Sequence, residues 1–396
     1  MRSYIRKVSG YADYILRRAV TPWYVAQRSR AGRFDAAESS QFRRLKANTL
    51  RFVESVRVDE GAYRHLYAPS CVKPTLYASA YACMTRSILR DLDGLSDQEK
   101  QRWAQYFDSF QQPDGLFHDP VVANDAYADS DWWGARHVSL HMVSAYAALE
   151  RRPKYAFGFL RQYYGAGAAL KLLDGVDWQS ASIGDTDIDN KIMNIGCLLQ
   201  YQRDVWHDLD ARASIEELKC SLRERIMPET GMWGGFDPRN KHELSRMVQF
   251  AYHLYPLFFF DEDFEFDAER IVSLVLDTQN EYGGYGVRVN SSACEDMDSI
   301  YILIQFYRYL GGQTQERVRA SLRKALSWVL LNEVDTGGFV FRLNEKFQYG
   351  SEYTRSLPQE AGCMPTWFRV LSIAYLARFF AVDDQFKITP VPGYEF

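Results

Sequence analysis

A short phrase recurs along this chain: a turn built on glycine, preceded by polar residues and followed by an aromatic. It reads QQPDGLF at 111–117, PETGMWGGF at 228–236, QNEYGGYG at 279–286 and NEVDTGGFVF at 332–341. Two weaker copies are DEGAY around Gly61 and LDGVDW around Gly175. Counted from Gly61 through Gly115, Gly175, Gly231 and Gly283 to Gly337, the gaps are 54, 60, 56, 52 and 54 residues. Self-similarity at a near-fixed period is the signature of a repeat architecture, and it constrains the fold before any other feature does.

Each turn separates two kinds of helical pattern. Before it stand amphipathic stretches such as SDQEKQRWAQYFDSF, SIEELKCSLRERI, DAERIVSLVLDTQ and QERVRASLRKALSWVLL, with apolar residues three or four apart and charges between them. That spacing predicts a helix with one wet face. After it come TLYASAYACMTRSIL, WWGARHVSLHMVSAYAAL, NKIMNIGCLLQYQRDV, ELSRMVQFAYHLYPLFFF, DSIYILIQFYRYL and TWFRVLSIAYLARFF. A helix apolar on most sides must be buried. Six such hairpins of near-equal length predict an all-α (α/α)6 toroid, with the dry helices as an inner barrel and the wet ones as a jacket. Glycine at each corner supplies a positive φ that ends the outer helix, and the aromatic packs the turn on its neighbour. The run GAGAAL, Gly165 to Leu170, reads as part of a helical stretch and not as a phosphate loop, because no strand precedes it.

The corners QQPDGLF, PETGMWGG and QNEYGGYG, together with six helix pairs over residues 36–396, resemble the terpenoid cyclase and protein prenyltransferase superfamily of α/α toroids. The resemblance implies an enzyme of isoprenoid chemistry. The zinc set of the prenyltransferases, Asp-x-Cys with a later His, is not matched, since Cys294 precedes Asp296 and no histidine follows it. The nearest match to the Asp-x-Asp-Asp run of the protonating cyclases is GDTDIDN, with Asp185, Asp187 and Asp189.

Candidate site residues cluster where the inner helices begin. DSDWWGARHVSLH contributes Trp132, Arg136, His137 and His141; GDTDIDNKIMN adds Asn190 and Asn194 to the three aspartates. HELSRMVQFAYH places Arg246, Gln249 and His253 on one face, and CEDMDS supplies Glu295, Asp296 and Asp298. Trp233 sits at the fourth corner. Acids at a helix start also serve as caps. Two carboxylates held close resist joint ionisation, however, so one is pushed towards its protonated form and can deliver a proton. The six acids are therefore the catalytic candidates, with Asp185, Asp187 or Asp189 as the expected proton donor, and the other ten residues are candidates for holding substrate.

The expected reaction is terpenoid-cyclase-like protonation of an isoprenoid or polyprenyl-linked substrate. The alternatives are a carbohydrate-active hydrolase, lyase or epimerase working with paired carboxylates, and a non-catalytic toroid that binds a partner. No cofactor is expected, and divalent-metal binding by the His137–His141 pair stays open. A net charge of −4 and a pI near 6 speak against a nucleic-acid partner, which needs a basic face. Six scattered cysteines without a CxxC pair suggest reduced thiols and a cytoplasmic setting. Residues 1–35 form a separate basic arm, with Arg2, Arg6, Lys7, Arg17, Arg18, Arg28, Arg30 and Arg33 against Asp13 and with Tyr and Trp between them. That pattern suits an anionic membrane surface and a peripheral association.

Overall fold

The structure is a computed structural model that describes residues 20–28, 39–58, 63–122, 130–382 and 385–394. The Gly61 corner and most of the basic arm lie outside these residues. Eleven helices are considered below: α1 Ser39–Ser55, α2 Leu76–Ile88, α3 Asp97–Asp108, α4 Ala135–Ala148, α5 Ile188–Val205, α6 Leu209–Arg223, α7 Lys241–Phe259, α8 Ala268–Leu276, α9 Ala293–Phe306, α10 Gly312–Leu331 and α11 Cys363–Phe379. One two-stranded hairpin, β1 Phe347–Gln348 with β2 Arg355–Ser356, precedes α11.

Helices α2, α4, α5, α7, α9 and α11 each pack on the next, and α11 returns to α2. The inner ring is closed, so the (α/α)6 toroid is the fold. Their composition requires burial: every residue of α2 but Arg86 is buried, and so is every residue of α11 up to Ala377. Outside them lie α1, α3, α6, α8 and α10, which carry the charged faces. Serine, asparagine or aspartate caps start several elements, with full capping boxes at Ser96/Glu99 and Ser292/Glu295.

The third hairpin departs from the expected pattern. In place of an outer helix it has 3-10 turns, Gly158–Tyr163 and Ala169–Leu172. GAGAAL therefore belongs to turns and not to a helical stretch. Gly165 and Gly167 both take positive φ there, which a continuous helix cannot accommodate.

The corners are built as their sequence predicts. Gly115, Gly175, Gly231, Gly283 and Gly337 all have positive φ. A Cβ at Gly115 would run into the Ala156 carbonyl of the following hairpin, and one at Gly337 would run into the Asn48 carbonyl of α1. The last corner thus meets the first outer helix by the same close approach with which Gly115 meets the following hairpin. The glutamine that opens the phrase ties the corner outward: Gln111 Nε2 donates to the Gly115 carbonyl at 2.9 Å and to the Tyr155 carbonyl at 2.8 Å, while Gln279 Nε2 donates to the Gly283 and Ser321 carbonyls at 2.9 Å each. The aromatic ties it inward, since the Phe117 N–H donates to Ser139 Oγ and the Phe339 N–H to Thr366 Oγ1, both at 3.0 Å. These corners orient every inner helix, and so they set the mouth of the ring.

Within the arm, residues 20–28 are helical and lie against the toroid. Val25 packs with Trp328, Val340 and Leu343, and Arg28 Nε donates to the Leu331 carbonyl at 2.8 Å. Among the described residues no helix is long and apolar enough to cross a membrane.

Candidate functional site

The starts of the inner helices meet at one end of the ring, and three polar clusters follow one another around it. Between α4 and α5, Arg136 grips Asp131 with both nitrogens (Nε–Oδ1 2.6 Å, Nη2–Oδ2 2.9 Å), and Asn194 Nδ2 donates to the Asp131 carbonyl at 2.7 Å. Asp187 stands at the N-cap of α5, where it accepts the backbone N–H groups of Asp131 and Trp132. Partial burial raises its carboxyl to about 6, against those two donors and helped by the nearby charges of Asp131 and Asp189.

Between α5 and α7, Asp189 is fully buried and accepts from Arg246 Nη2 at 2.9 Å and His253 Nδ1 at 3.0 Å, with Asn190 at 3.3 Å. Burial pushes its pKa up, but His253 and Arg246 together outweigh burial and hold it below the usual carboxylate range. The two neighbouring aspartates thus divide into a readily protonated one and an ionised one. Asp185 ends the turn Ala181–Asp185 in an exposed position, away from both roles.

Helix α9 carries three acids in three different states. Glu295 completes the capping box with Ser292 and pairs with Arg342 Nη2 at 2.8 Å. Asp296 takes donors from Trp328 Nε1 (2.8 Å), Ser291 Oγ (2.7 Å), the Tyr285 N–H (2.9 Å) and the Arg369 guanidinium. Both oxygens of Asp296 are thus taken by donors, which suits a structural role, while Glu295 is held through Oε2 alone. Asp298 is different. It is 3% exposed, and among the described residues no hydrogen bond or ion pair holds its carboxyl. Burial, followed by the charge of Glu295, raises its pKa well above the ordinary value and so favours its protonated form. It faces the ring axis, because it also senses Arg246 and Asp189, and Asp189 lies on α5, which α9 reaches only across α7.

Inside the mouth the lining is aromatic. His137 Nδ1 meets Tyr77 Oη at 2.8 Å, and its Nε2 meets Tyr349 Oη at 3.0 Å and His141 Nε2 at 3.3 Å. Tyr349 arrives on the β1–β2 hairpin, reaching from the sixth repeat to the second, where its hydroxyl also donates to the Trp132 carbonyl at 2.7 Å. Burial holds His137 well below its usual value and His141 at about 3, so both imidazoles are neutral. Among the described residues no third His, Cys, Asp or Glu joins them in a metal-holding group. Deeper in lie Tyr81, Trp367, Tyr252, Tyr301 and Tyr394.

Two of the residues read as substrate-holding do other work. Trp233 is wholly buried in the outer layer, donating Nε1 to the Leu222 carbonyl at 2.7 Å among Tyr255, Phe258 and Phe266. Gln249 donates to Ser245 on its own helix, at 3.1 Å to the carbonyl and 3.2 Å to Oγ. Sequence reasoning missed Asp131, Tyr77, Tyr252, Tyr349 and Tyr394. It also passed over Arg369, although an arginine inside the otherwise apolar TWFRVLSIAYLA signals a buried partner.

No family model and no curated protein matches this chain. Several solved structures do. The ent-copalyl diphosphate synthase from Streptomyces platensis is 15% identical with a TM-score of 0.40 over 78% of this chain, which spans about half (51%) of that protein's length. The type II terpene cyclase MstE from Scytonema, in complex with geranylgeranyl dihydroxybenzoate, is 11% identical with a TM-score of 0.47, covering 86% of this chain and 98% of that one. A family 76 glycoside hydrolase from a bovine Bacteroides thetaiotaomicron strain is 10% identical with a TM-score of 0.48, covering 88% and 80%. Likeness at this level extends to two unrelated chemistries and selects neither, so any reading of the reaction rests on this chain's own residues.

Proposed function

We propose that this toroid is an enzyme that isomerises an isoprenoid or polyprenyl-linked substrate by protonation, with Asp298 as the acid. The observation that supports the reading is a buried carboxyl on an inner helix, held by no hydrogen bond or ion pair among the described residues and close enough to Tyr252 and Tyr394 for their phenols to sense its charge. The Asp298 proton would add to one carbon of an alkene and leave a cation on the other. Internal attack by a second double bond would close a ring, and loss of a proton would return the carboxyl to its starting state. The faces of Tyr81, Tyr252 and Trp367 suit such a cation, because an aromatic quadrupole attracts positive charge. Arg136 and Arg246 are already engaged by Asp131 and Asp189, which favours chemistry on the hydrocarbon over ionisation of a diphosphate.

The test is incubation with geranylgeranyl diphosphate and with acidic oligosaccharides, analysed by mass spectrometry. Asp298→Asn is expected to lower isoprenoid turnover at least a hundredfold, in the range general acids supply. Turnover indifferent to that change, or cleavage of the oligosaccharide alone, overturns the assignment.

One observation favours the carbohydrate reading: Asp187, partly buried and near 6, lies close enough to buried, ionised Asp189 to sense its charge, as an acid and a base of a sugar-cleaving pair would. Oligosaccharide cleavage lost in Asp187→Asn but kept in Asp298→Asn would establish it. The reading also includes a membrane-facing arm, since Trp23 is 60% exposed on the 20–28 helix beside the basic segment. Co-sedimentation with anionic vesicles, weakened by Trp23→Ser and by high salt, is the expected sign.

A further inference from the structure

The middle of the ring is not empty. Residues 385–394 belong to none of the six hairpins, and their last part enters the barrel beside the inner helices. Gly393, at φ +94°, sits where an added Cβ would lie 3.4 Å from both Cys197 Sγ and Met193 Cε on α5. The Tyr394 ring stacks on His141 at 5.3 Å and meets the edge of Trp367 at 5.0 Å. Its phenol lies close enough to Tyr349 and Asp298 to sense their charges.

The fit is apolar but incomplete in its polar terms. Tyr81 Oη, Tyr252 Oη and His141 Nδ1 are buried with no hydrogen-bond partner among the described residues. They come from α2, α7 and α4, three separate sides of the ring, and Tyr394 stands among them. Buried polar atoms are otherwise paired in folded proteins, so three orphans around one hollow indicate that its proper occupant brings oxygen or water with it. The segment is held mainly by apolar packing, with Phe386 edge-on to Phe42 at 5.5 Å and Val391 and Tyr394 buried in the core, and by a few polar ties. The Lys387 N–H donates to the Ile88 carbonyl at 2.8 Å, Tyr375 Oη donates to the Tyr394 carbonyl at 3.1 Å, and the Lys387 ammonium stands 3.5 Å from each of Asp93 and Glu150. Alongside it runs a recess of about 380 Å³ including its open mouth, bounded by Met84, Ile88, Ser144, Trp367, Thr389 and Tyr394. The Ser144 and Thr389 hydroxyls there are also unpaired.

We infer that the axial chamber is a binding site for an oxygen-bearing isoprenoid, and that residues 391–394 occupy it as a displaceable plug. The ligand class rests on the isoprenoid reading above; the exchange of plug for ligand does not. Binding then requires withdrawal of Tyr394, after which the ligand's oxygen pairs with the Tyr81 and Tyr252 hydroxyls while its chain takes the place of the Tyr394 ring.

Farnesol serves as the probe, with affinity measured by calorimetry on the full chain and without reference to turnover. Tyr394→Ala is expected to bind it at least tenfold more tightly than the unaltered protein, and adding Tyr81→Phe with Tyr252→Phe is expected to remove most of that gain. A second variant keeps the test open if the first does not fold. Gly393→Cys places a thiol within disulfide reach of Cys197 Sγ. Oxidised with diamide, the clamped protein should bind farnesol at most one-tenth as tightly as the same preparation reduced with dithiothreitol. Equal affinity in clamped and reduced forms, or in Tyr394→Ala and the unaltered chain, overturns the plug. If the clamp controls binding while turnover ignores Asp298→Asn, the plug stands and the acid chemistry falls; the opposite pair of results removes the plug alone.

Discussion

Asp298 and Asp189 show how far a side chain's neighbours decide its role. Both are carboxyls in the first turns of inner helices and both are buried, yet Asp189 has Arg246 and His253 and is held below the usual range, while Asp298 has no donor among the described residues and is pushed well above it. A carboxyl whose folded pKa lies above the ordinary value of about 4 holds a proton that the unfolded chain has released. Its contribution to stability is therefore present at low pH and is lost as pH rises from about 4 through the folded pKa. Asp298→Asn removes this loss. Thermal unfolding should find the variant's Tm above that of the parent at pH 8, with the gap narrowing towards pH 5. A gap that widens on acidification would mean Asp298 is ionised in the folded protein. From sequence the proton donor is expected among Asp185, Asp187 and Asp189, whereas the proposed acid is Asp298. The Ser292–Glu295 spacing was a legible capping signal, but the partners of Asp296 and the solitude of Asp298 depend on Arg369 and Arg342, more than forty positions away in the chain.

Among the elements, the corner was the most legible because its requirement is local. A helix that must stop and turn needs a residue tolerant of positive φ, and glycine recurs wherever that happens. The structure adds a second requirement, close approach to the next hairpin, which separates two glycines of similar backbone. Gly115 and Gly165 have φ of +95° and +88°, but a Cβ at Gly115 would strike the Ala156 carbonyl, whereas at Gly165 nothing lies within 4 Å. Gly165→Ala should thus cost about 1–2 kcal/mol, the left-handed penalty alone. Gly115→Ala should cost clearly more, as read by urea denaturation, and equal losses would mean the corner is free to shift. The third outer element was misjudged as a helix because Ala and Leu dominate GAGAAL, while its two positive-φ glycines carry the contrary signal. The β1–β2 hairpin and the 385–394 segment left no periodic trace, since neither buries a regular face.

For the molecule as a whole, closure is the defining property. The inner ring joins α11 to α2, and the outer layer joins Gly337 to Asn48, with Asn48 Nδ2 donating to Glu333 Oε1 at 2.9 Å. Stacked open arrays share out their stability among neighbours and can lose it piecemeal. A closed ring has no end repeat from which to fray, so urea unfolding followed by far-UV circular dichroism and by tryptophan fluorescence should give one coincident transition. Gly337→Ala, at the seam, should uncouple the two probes or lower the midpoint as much as Gly115→Ala does; a neutral result would show the seam to be dispensable. The period made this closure legible in outline, because six equal hairpins suggest a ring. What fills the centre was not legible, since Tyr394 reads in sequence like any of the 26 tyrosines.

The seam between Asn48 and Gly337 also bears on how such a protein comes to work at all. The helix that carries Asp298 packs between α7 and α11, so a chain that ends after α9 and before α11 leaves one side of that helix uncovered. On the proposed reading, the shelter that raises the Asp298 pKa is complete only once the last inner helix has closed the circle.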